Sequence, residues 1–182
     1  MAVMDRPTDT EIKVQLLAAP PTRWQRLWAA VDELRAPRSR PHASWVFPEP
    51  DAHGMLRLPY VHYSETMERI RRGLYEVGAI ISFAWTDWDG EARYPNGEGL
   101  RDAPVGESVR MLTLLIRAER LTDGTILRAL EDGTFLAALD RLRRWYERVR
   151  VPHAAHVHGP PHDSWAMRQF GRARVFLALH CS

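Results

Sequence analysis

Residues 108–121, SVRMLTLLIRAERL, decide the fold. Apolar side chains occupy most sides of the helical wheel this segment would form. The pattern therefore predicts a helix buried on most of its surface, the centre of a bundle. Ser108 reads as its opening residue, and Thr122-Asp123-Gly124 as its break. Its polar residues are Arg110, Thr113, Arg117, Glu119 and Arg120. The first three of its polar positions, Arg110, Thr113 and Arg117, share a face, and Arg120 follows one turn on.

Downstream, a short helix over 125–132 should end at Gly133, and Thr134 should cap a longer one. Phe135, Leu139, Leu142, Tyr146 and Val149 recur at 3–4 spacing on its apolar side, with Arg141, Arg144 and Arg148 on another. Beyond Pro152 the stretch HAAHVHGPPHDSW reads as loop, and GRARVFLALHC as a closing strand. Upstream, residues 89–105 carry Asp-Gly and Pro-Asn-Gly turn signals and read mostly as loop. AIISFAW, before them, fits either a strand or a helical turn. Ser64 should cap a helix striped by Met67, Ile70, Leu74 and Val77, with Gly78 at its end. Residues 36–54 read as an ordered loop with an extended piece at 45–47, and 55–63 as extended. Two capping boxes, Thr8-x-x-Glu11 and Thr22-x-x-Gln25, open two N-terminal helices. The first carries Ile12, Leu16 and Leu17. The second carries Trp24, Leu27, Trp28, Val31 and Leu34, and stops near Pro37.

The expected fold is therefore mainly α, with α+β as the alternative: a compact bundle of five to six helices with a small β element. Residues 1–150 form a helical core domain, and 151–182 a His- and Arg-rich C-terminal extension. The chain has 182 residues, 45% of them hydrophobic, which suffices for one real core and argues against disorder. There is no run of about 18 apolar residues to span a membrane. No basic region followed by an apolar run opens the chain, so a cytoplasmic location is expected. Cys181 is the single cysteine and excludes an internal disulfide.

The formal charge of +2 is the residue of two opposed poles. Residues 141–182 carry +6, and the other 140 carry −4. Arg supplies nearly all the positive charge, with Lys13 the sole lysine. This asymmetry suggests an acidic partner for the C-terminal third, with self-complementation and a GC-rich genome as blander causes.

Four sets of residues could carry chemistry. His153, His156, His158 and His162 are spaced to hold a transition metal (Zn, Ni or Fe), against a solvated loop as the alternative. Arg117 and Arg120, with Glu131 or Glu119 as partner, could form an anion site or simply tie helices together. Tyr60, Tyr63, Trp85 and Trp88 could line a ligand pocket with Glu131, although tryptophan clusters more often build cores. Arg141, Arg144 and Arg148 could contact phosphates, although Asp140 four before Arg144 and Glu147 four after Arg143 suggest a salt-laced face. No P-loop, G-x-G-x-x-G or G-x-S-x-G motif is present.

Pro59-Tyr60, Tyr63, Trp85, Trp88, Arg117, Arg120, Gly124, Glu131 and Gly133 together resemble the pattern of a prokaryotic domain family of unknown function. The resemblance spans 22–146 and leaves the His-rich end outside. It implies no activity, but it raises the standing of Arg117, Arg120 and Glu131. The expectation is a small soluble binding or accessory protein for an acidic partner, nucleic acid or protein surface, such as an inhibitor or accessory protein of a mobile element. The alternative is a hydrolase-like, metal-assisted enzyme using the histidines and an Arg anion site. A purely structural oligomerisation module is a third possibility.

Overall fold

The computed structural model describes residues 6–150. Its elements are α1 (Asp9–Ala18), α2 (Pro21–Arg35), β1 (Ala43–Val46), β2 (Tyr60–Tyr63), α3 (Glu65–Glu76), α4 (Gly90–Arg93), α5 (Val105–Ala118), α6 (Thr125–Glu131) and α7 (Thr134–Arg150). Single 3₁₀ turns lie at Trp85–Asp87 and Pro95–Gly97. The described part is mainly helical, with one antiparallel hairpin pairing Val46 with Tyr60 and Ala43 with Tyr63. No described helix is long and apolar enough to cross a membrane. The His-rich extension, 151–182, lies outside the described residues.

The central helix is where its apolar pattern places it. α5 packs against α1, α6 and α7, and every residue from Val105 to Ile116 is buried. Its start differs from expectation. Pro104 sits extended at φ −52°, ψ 145° and the helix begins directly after it, three residues before Ser108. Ser108 is consequently an interior, fully buried residue. The Thr22 capping box does not form either: α2 opens at Pro21, whose ring presets the helical φ and whose missing N–H costs nothing there. The box at Thr8 does close, Thr8 and Glu11 exchanging both bonds, and Ser64 caps α3 as expected, its hydroxyl accepting the Met67 N–H. Gly78, at φ 75°, ends α3 in the left-handed region.

Two helical pairs build the core, α2 on α3 and α5 on α7. Trp24, Trp28, Trp145 and Tyr146 bridge α2 to α7, with Trp24 and Tyr146 stacked at 4.6 Å. Two apolar residues placed in buried stripes by spacing are exposed instead, Leu17 and Val149. Leu17 sits one position off the contact line on which Leu16 is buried, and Val149 lies in the last turn of α7, one turn beyond the buried Trp145. The segment 79–88 is neither strand nor α-helix. Ile81, Phe83 and Trp88 fill the core from irregular backbone, and only Trp85–Asp87 makes a turn. The stretch 89–105, expected as loop, includes α4, because Asp89-Gly90 starts a helical turn. Gly90 is required there: a Cβ would lie 2.1 Å from the Trp88 ring.

Ionised carboxylates tie the elements together. Burial raises the Asp9 carboxyl, but Lys13 at 2.5 Å, the Gly106 N–H at 2.7 Å and the Arg110 charge together hold it below its ordinary value. Glu33 is lowered by the Thr66 hydroxyl and by Arg69. Folded values below the ordinary 3.8 and 4.5 mean that this stabilisation is complete above about pH 4.5. It is lost as pH falls through the lowered folded values. The urea midpoint should therefore drop as pH falls below about 4.5 and on through the lowered folded values. Asp9→Asn should shallow that drop; an unchanged pH profile in the variant would dissociate Asp9 from acid stability.

Candidate functional site

The polar face of α5 is spoken for by the protein's own backbone. The Thr113 hydroxyl accepts the Ile81 N–H at 3.1 Å and donates to the Val109 carbonyl at 2.8 Å. Arg117 Nη2 donates to the Ile81 carbonyl at 3.2 Å. Both peptide groups of Ile81 are thus satisfied from α5, which lets irregular chain lie in the core without orphaned donors. Arg110 donates to Glu107 at 2.5 Å and to the Pro7 carbonyl, and Glu107 also pairs with Arg93 at 2.8 Å.

Neither expected acidic partner meets Arg117 or Arg120. Arg120 and Glu131 are exposed. Glu119 is buried and turned the other way. Its two carboxylate oxygens accept the Gly124 N–H at 3.0 Å and the Ile126 N–H at 2.8 Å, capping α6. Gly124, at φ 88°, is the turn residue that brings those donors round.

The aromatic set is divided among three tasks. Trp88 is a core residue, edge-on to Phe83 at 6.1 Å and under the Arg93 guanidinium at 5.6 Å. Trp85 packs half-buried on the core. Tyr63 lies half-buried beside Glu119, and burial together with that carboxylate pushes its phenol far above the ordinary range. Tyr60 is exposed on the opposite face of the same strand.

The basic face of α7 is different in kind. Arg143 is fully engaged by ions: it pairs bidentately with Asp32, contacts Glu147 at 3.1 Å and lies over Trp28 at 5.6 Å. The expected Asp140–Arg144 pair does not form. Asp140 gives its carboxylate to Arg35, and Arg144 bonds only to the carbonyls of Asp140 and Arg101. Arg141 donates to the Ala103 carbonyl at 2.6 Å, and Arg148 to the Arg144 carbonyl at 3.3 Å. Carbonyls satisfy donors but do not neutralise charge. Among the described residues, Arg141, Arg144 and Arg148 have no carboxylate within ion-pair distance. Burial lowers the Arg141 guanidinium from its ordinary value, and the charges of Arg148 and Arg144 lower it further.

Two shallow clefts flank this row. One, of about 480 Å³, is lined by Arg35, Arg101, Arg143 and Arg144 together with Asp140 and Glu147. The other, of about 610 Å³, includes Lys13, Arg141, Trp145 and Arg148 with Asp9 and Asp102. Arg101, whose part was not anticipated, joins the row from the loop before α5. Only its charge could have suggested this, since nothing local links residue 101 to 144.

His153, His156, His158 and His162 lie outside the described residues. Among the described residues no three His, Cys, Asp or Glu side chains converge on a potential metal site.

No curated protein and no solved structure matches the chain. A family model does match, over residues 19–148, its description being a family of unknown function, DUF6508. That span begins just before α2 and ends within α7, so it takes in the hairpin, the α5 core and the whole row Arg141, Arg144 and Arg148. On this match the chain belongs to DUF6508, a family of unknown function.

Proposed function

We propose that this protein is a non-enzymatic binding or accessory protein that recognises an acidic macromolecule, nucleic acid or acidic protein surface, through the basic face of α7. The observation that carries the reading is the row Arg141, Arg144 and Arg148, held by carbonyl hydrogen bonds with no described carboxylate at ion-pair distance, Asp9 and Asp102 acting on Arg141 only from farther off. Holding a guanidinium by backbone acceptors fixes its position and leaves its charge for a partner. At a rise of about 1.5 Å per residue, the three span roughly 10 Å along the helix, a length over which a polyanion presents several charges. The C-terminal arginines Arg168, Arg172 and Arg174 add to the same pole of the sequence.

Binding should be electrostatic and steeply salt-dependent. The test uses the full chain with a 20-base-pair DNA duplex, a single-stranded RNA and polyglutamate as separate probes, titrated at several salt concentrations. Arg144→Glu with Arg148→Glu should weaken the preferred probe by tenfold or more at low salt. It should also reduce the slope of log K against log salt by about 2. The preferred probe identifies the partner class. Failure of all three probes at low salt, or an unchanged slope in the double variant, would overturn the reading.

A further inference from the structure

Leu17 and Val149, the two apolar residues that leave their expected stripes, stand on the two walls of one groove. α1 and α7 run side by side in the same direction across the start of α5. At one end the Asp9 charge reaches Arg141. At the other, the Arg150 guanidinium donates to the Leu17 carbonyl at 2.7 Å and the Ala19 carbonyl at 3.1 Å. The cleft of about 610 Å³ lies between the two helices, floored by Ala103, Pro104 and Trp145. Val149 lines it, four residues after Trp145, and Leu17 extends the opposite wall one turn past Lys13. Leu17 is 44% exposed and Val149 45%. From Asp9 to Leu17 the wall is about 12 Å long, a little over two helical turns.

The charge around this groove is unbalanced. Lys13, Arg141, Arg148 and Arg150 border it against Asp9 and Asp102. Asp9 is already taken by Lys13 and the Gly106 N–H. Arg148 and Arg150 are held by carbonyls alone. Arg141 Nη1 and Arg150 Nε are buried with no hydrogen-bond partner among the described residues. A donor in that state gains from any acceptor brought to it.

We infer that the groove between α1 and α7 docks an acidic amphipathic peptide helix of a partner protein. Its carboxylates meet Lys13, Arg141 and Arg148, and its apolar face lies on Leu17, Val149 and the floor. The inference rests on the α7 reading and narrows its partner from acidic macromolecules in general to protein. Charge complementarity selects the sign of the occupant: the groove's cations outnumber its carboxylates, and those held only by carbonyls keep their charge for a partner. The apolar surface selects its kind. A phosphate backbone has nothing to bury against Leu17 and Val149, and it would meet Asp9 and Asp102 on the way in. Base stacking is also poorly served. Trp145, the one aromatic ring lining the cleft among the described residues, is only 6% exposed and offers a base too little face. A helix with glutamates on one side and leucines on the other satisfies both requirements at once. The ties at the two ends of the groove hold its walls in place before the partner arrives, which lowers the entropic cost of association.

The test is fluorescence anisotropy with the full-length chain and four labelled probes. They are a peptide of about 14 residues with leucines at i, i+3, i+4 and i+7 spacing among glutamates, a scrambled peptide of the same composition, polyglutamate of the same length, and a DNA duplex. The amphipathic peptide should bind in the micromolar range, about tenfold or more tighter than its scramble. It should lose less affinity than polyglutamate when salt is added, because apolar burial is not screened. Leu17→Gln with Val149→Gln should weaken it by about tenfold or more and leave polyglutamate binding unchanged, since the variant keeps every charge. Both positions are substantially exposed, so the Tm of the variant should match the wild type. Arg148→Gln should weaken both acidic peptides by about threefold or more. An amphipathic peptide bound no tighter than its scramble, an unchanged affinity in the Leu17/Val149 variant, or a DNA duplex bound more tightly than the peptide would overturn the inference. In each of those cases binding of polyglutamate or DNA keeps the α7 reading. Failure of all four probes would overturn both.

Discussion

Trp24→Ala lowers the unfolding free energy by about 4 kcal/mol, among the largest losses expected at any position in the described fold. Trp24 is fully buried on α2. It stacks on Tyr146 at 4.6 Å and Trp28 at 5.5 Å, and meets Trp145 at 6.3 Å. Removing the indole opens a cavity between α2 and α7 that no neighbour can fill, since the surrounding rings are themselves held in stacks. Aromatic contacts add roughly 0.5–1.5 kcal/mol each beyond area burial. Urea unfolding followed by circular dichroism measures the loss, and the Tm should fall by about 10 °C. Trp24→Phe should cost much less, because the indole N–H makes no hydrogen bond among the described residues. Equal losses in the two variants would mean that the N–H, not the ring stack, holds the helices.

Glu119→Ala is expected to cost about 3 kcal/mol by a different mechanism. The Glu119 carboxylate is buried at 7% exposure and accepts two N–H groups at the start of α6. Truncation leaves both donors without an acceptor in a site closed to water. Glu119→Gln should recover part of the loss, since its amide offers one acceptor oxygen but turns an NH₂ toward the second donor. Amide exchange resolves the effect spatially. The Gly124 and Ile126 amides should exchange at least tenfold faster in Glu119→Ala, beyond the change in global stability. Uniform acceleration across all helices would instead assign the loss to general core damage.

These two positions differ in how far the sequence announces them. Trp24 stands in an apolar stripe with Leu27, Trp28, Val31 and Leu34, and its burial follows from periodicity alone. Glu119 looks like one more charge beside Arg117 and Arg120, a natural partner for either. Its true ligands are peptide N–H groups around a glycine turn, and no side-chain pattern encodes them. The same division runs through the arginines. Arg143 pairs with Glu147 as i,i+4 spacing predicts, but Asp140, at the same spacing from Arg144, goes to Arg35 across the fold. Arg144 is thereby left with carbonyls, and the basic face arises from that competition.

Every described helix except α4, the order in which they follow one another and the one buried central helix were legible in the sequence. Those features rest on apolar periodicity, capping hydroxyls and glycine turns, all of which act within a few residues. The starts of α2 and α5 escaped by a few residues because proline set them where a hydroxyl was expected to. Tertiary structure alone decided which charges are spent inside the fold and which remain outside. It also decided that the aromatics at 60, 63, 85 and 88 serve different surfaces, and that the hairpin and its loop at 45–60 carry large apolar residues into solvent. Each of those outcomes depends on partners tens of residues away, where Coulomb attraction, carbonyl geometry and packing compete for the same side chain. Local spacing does not rank that competition; the packed fold does.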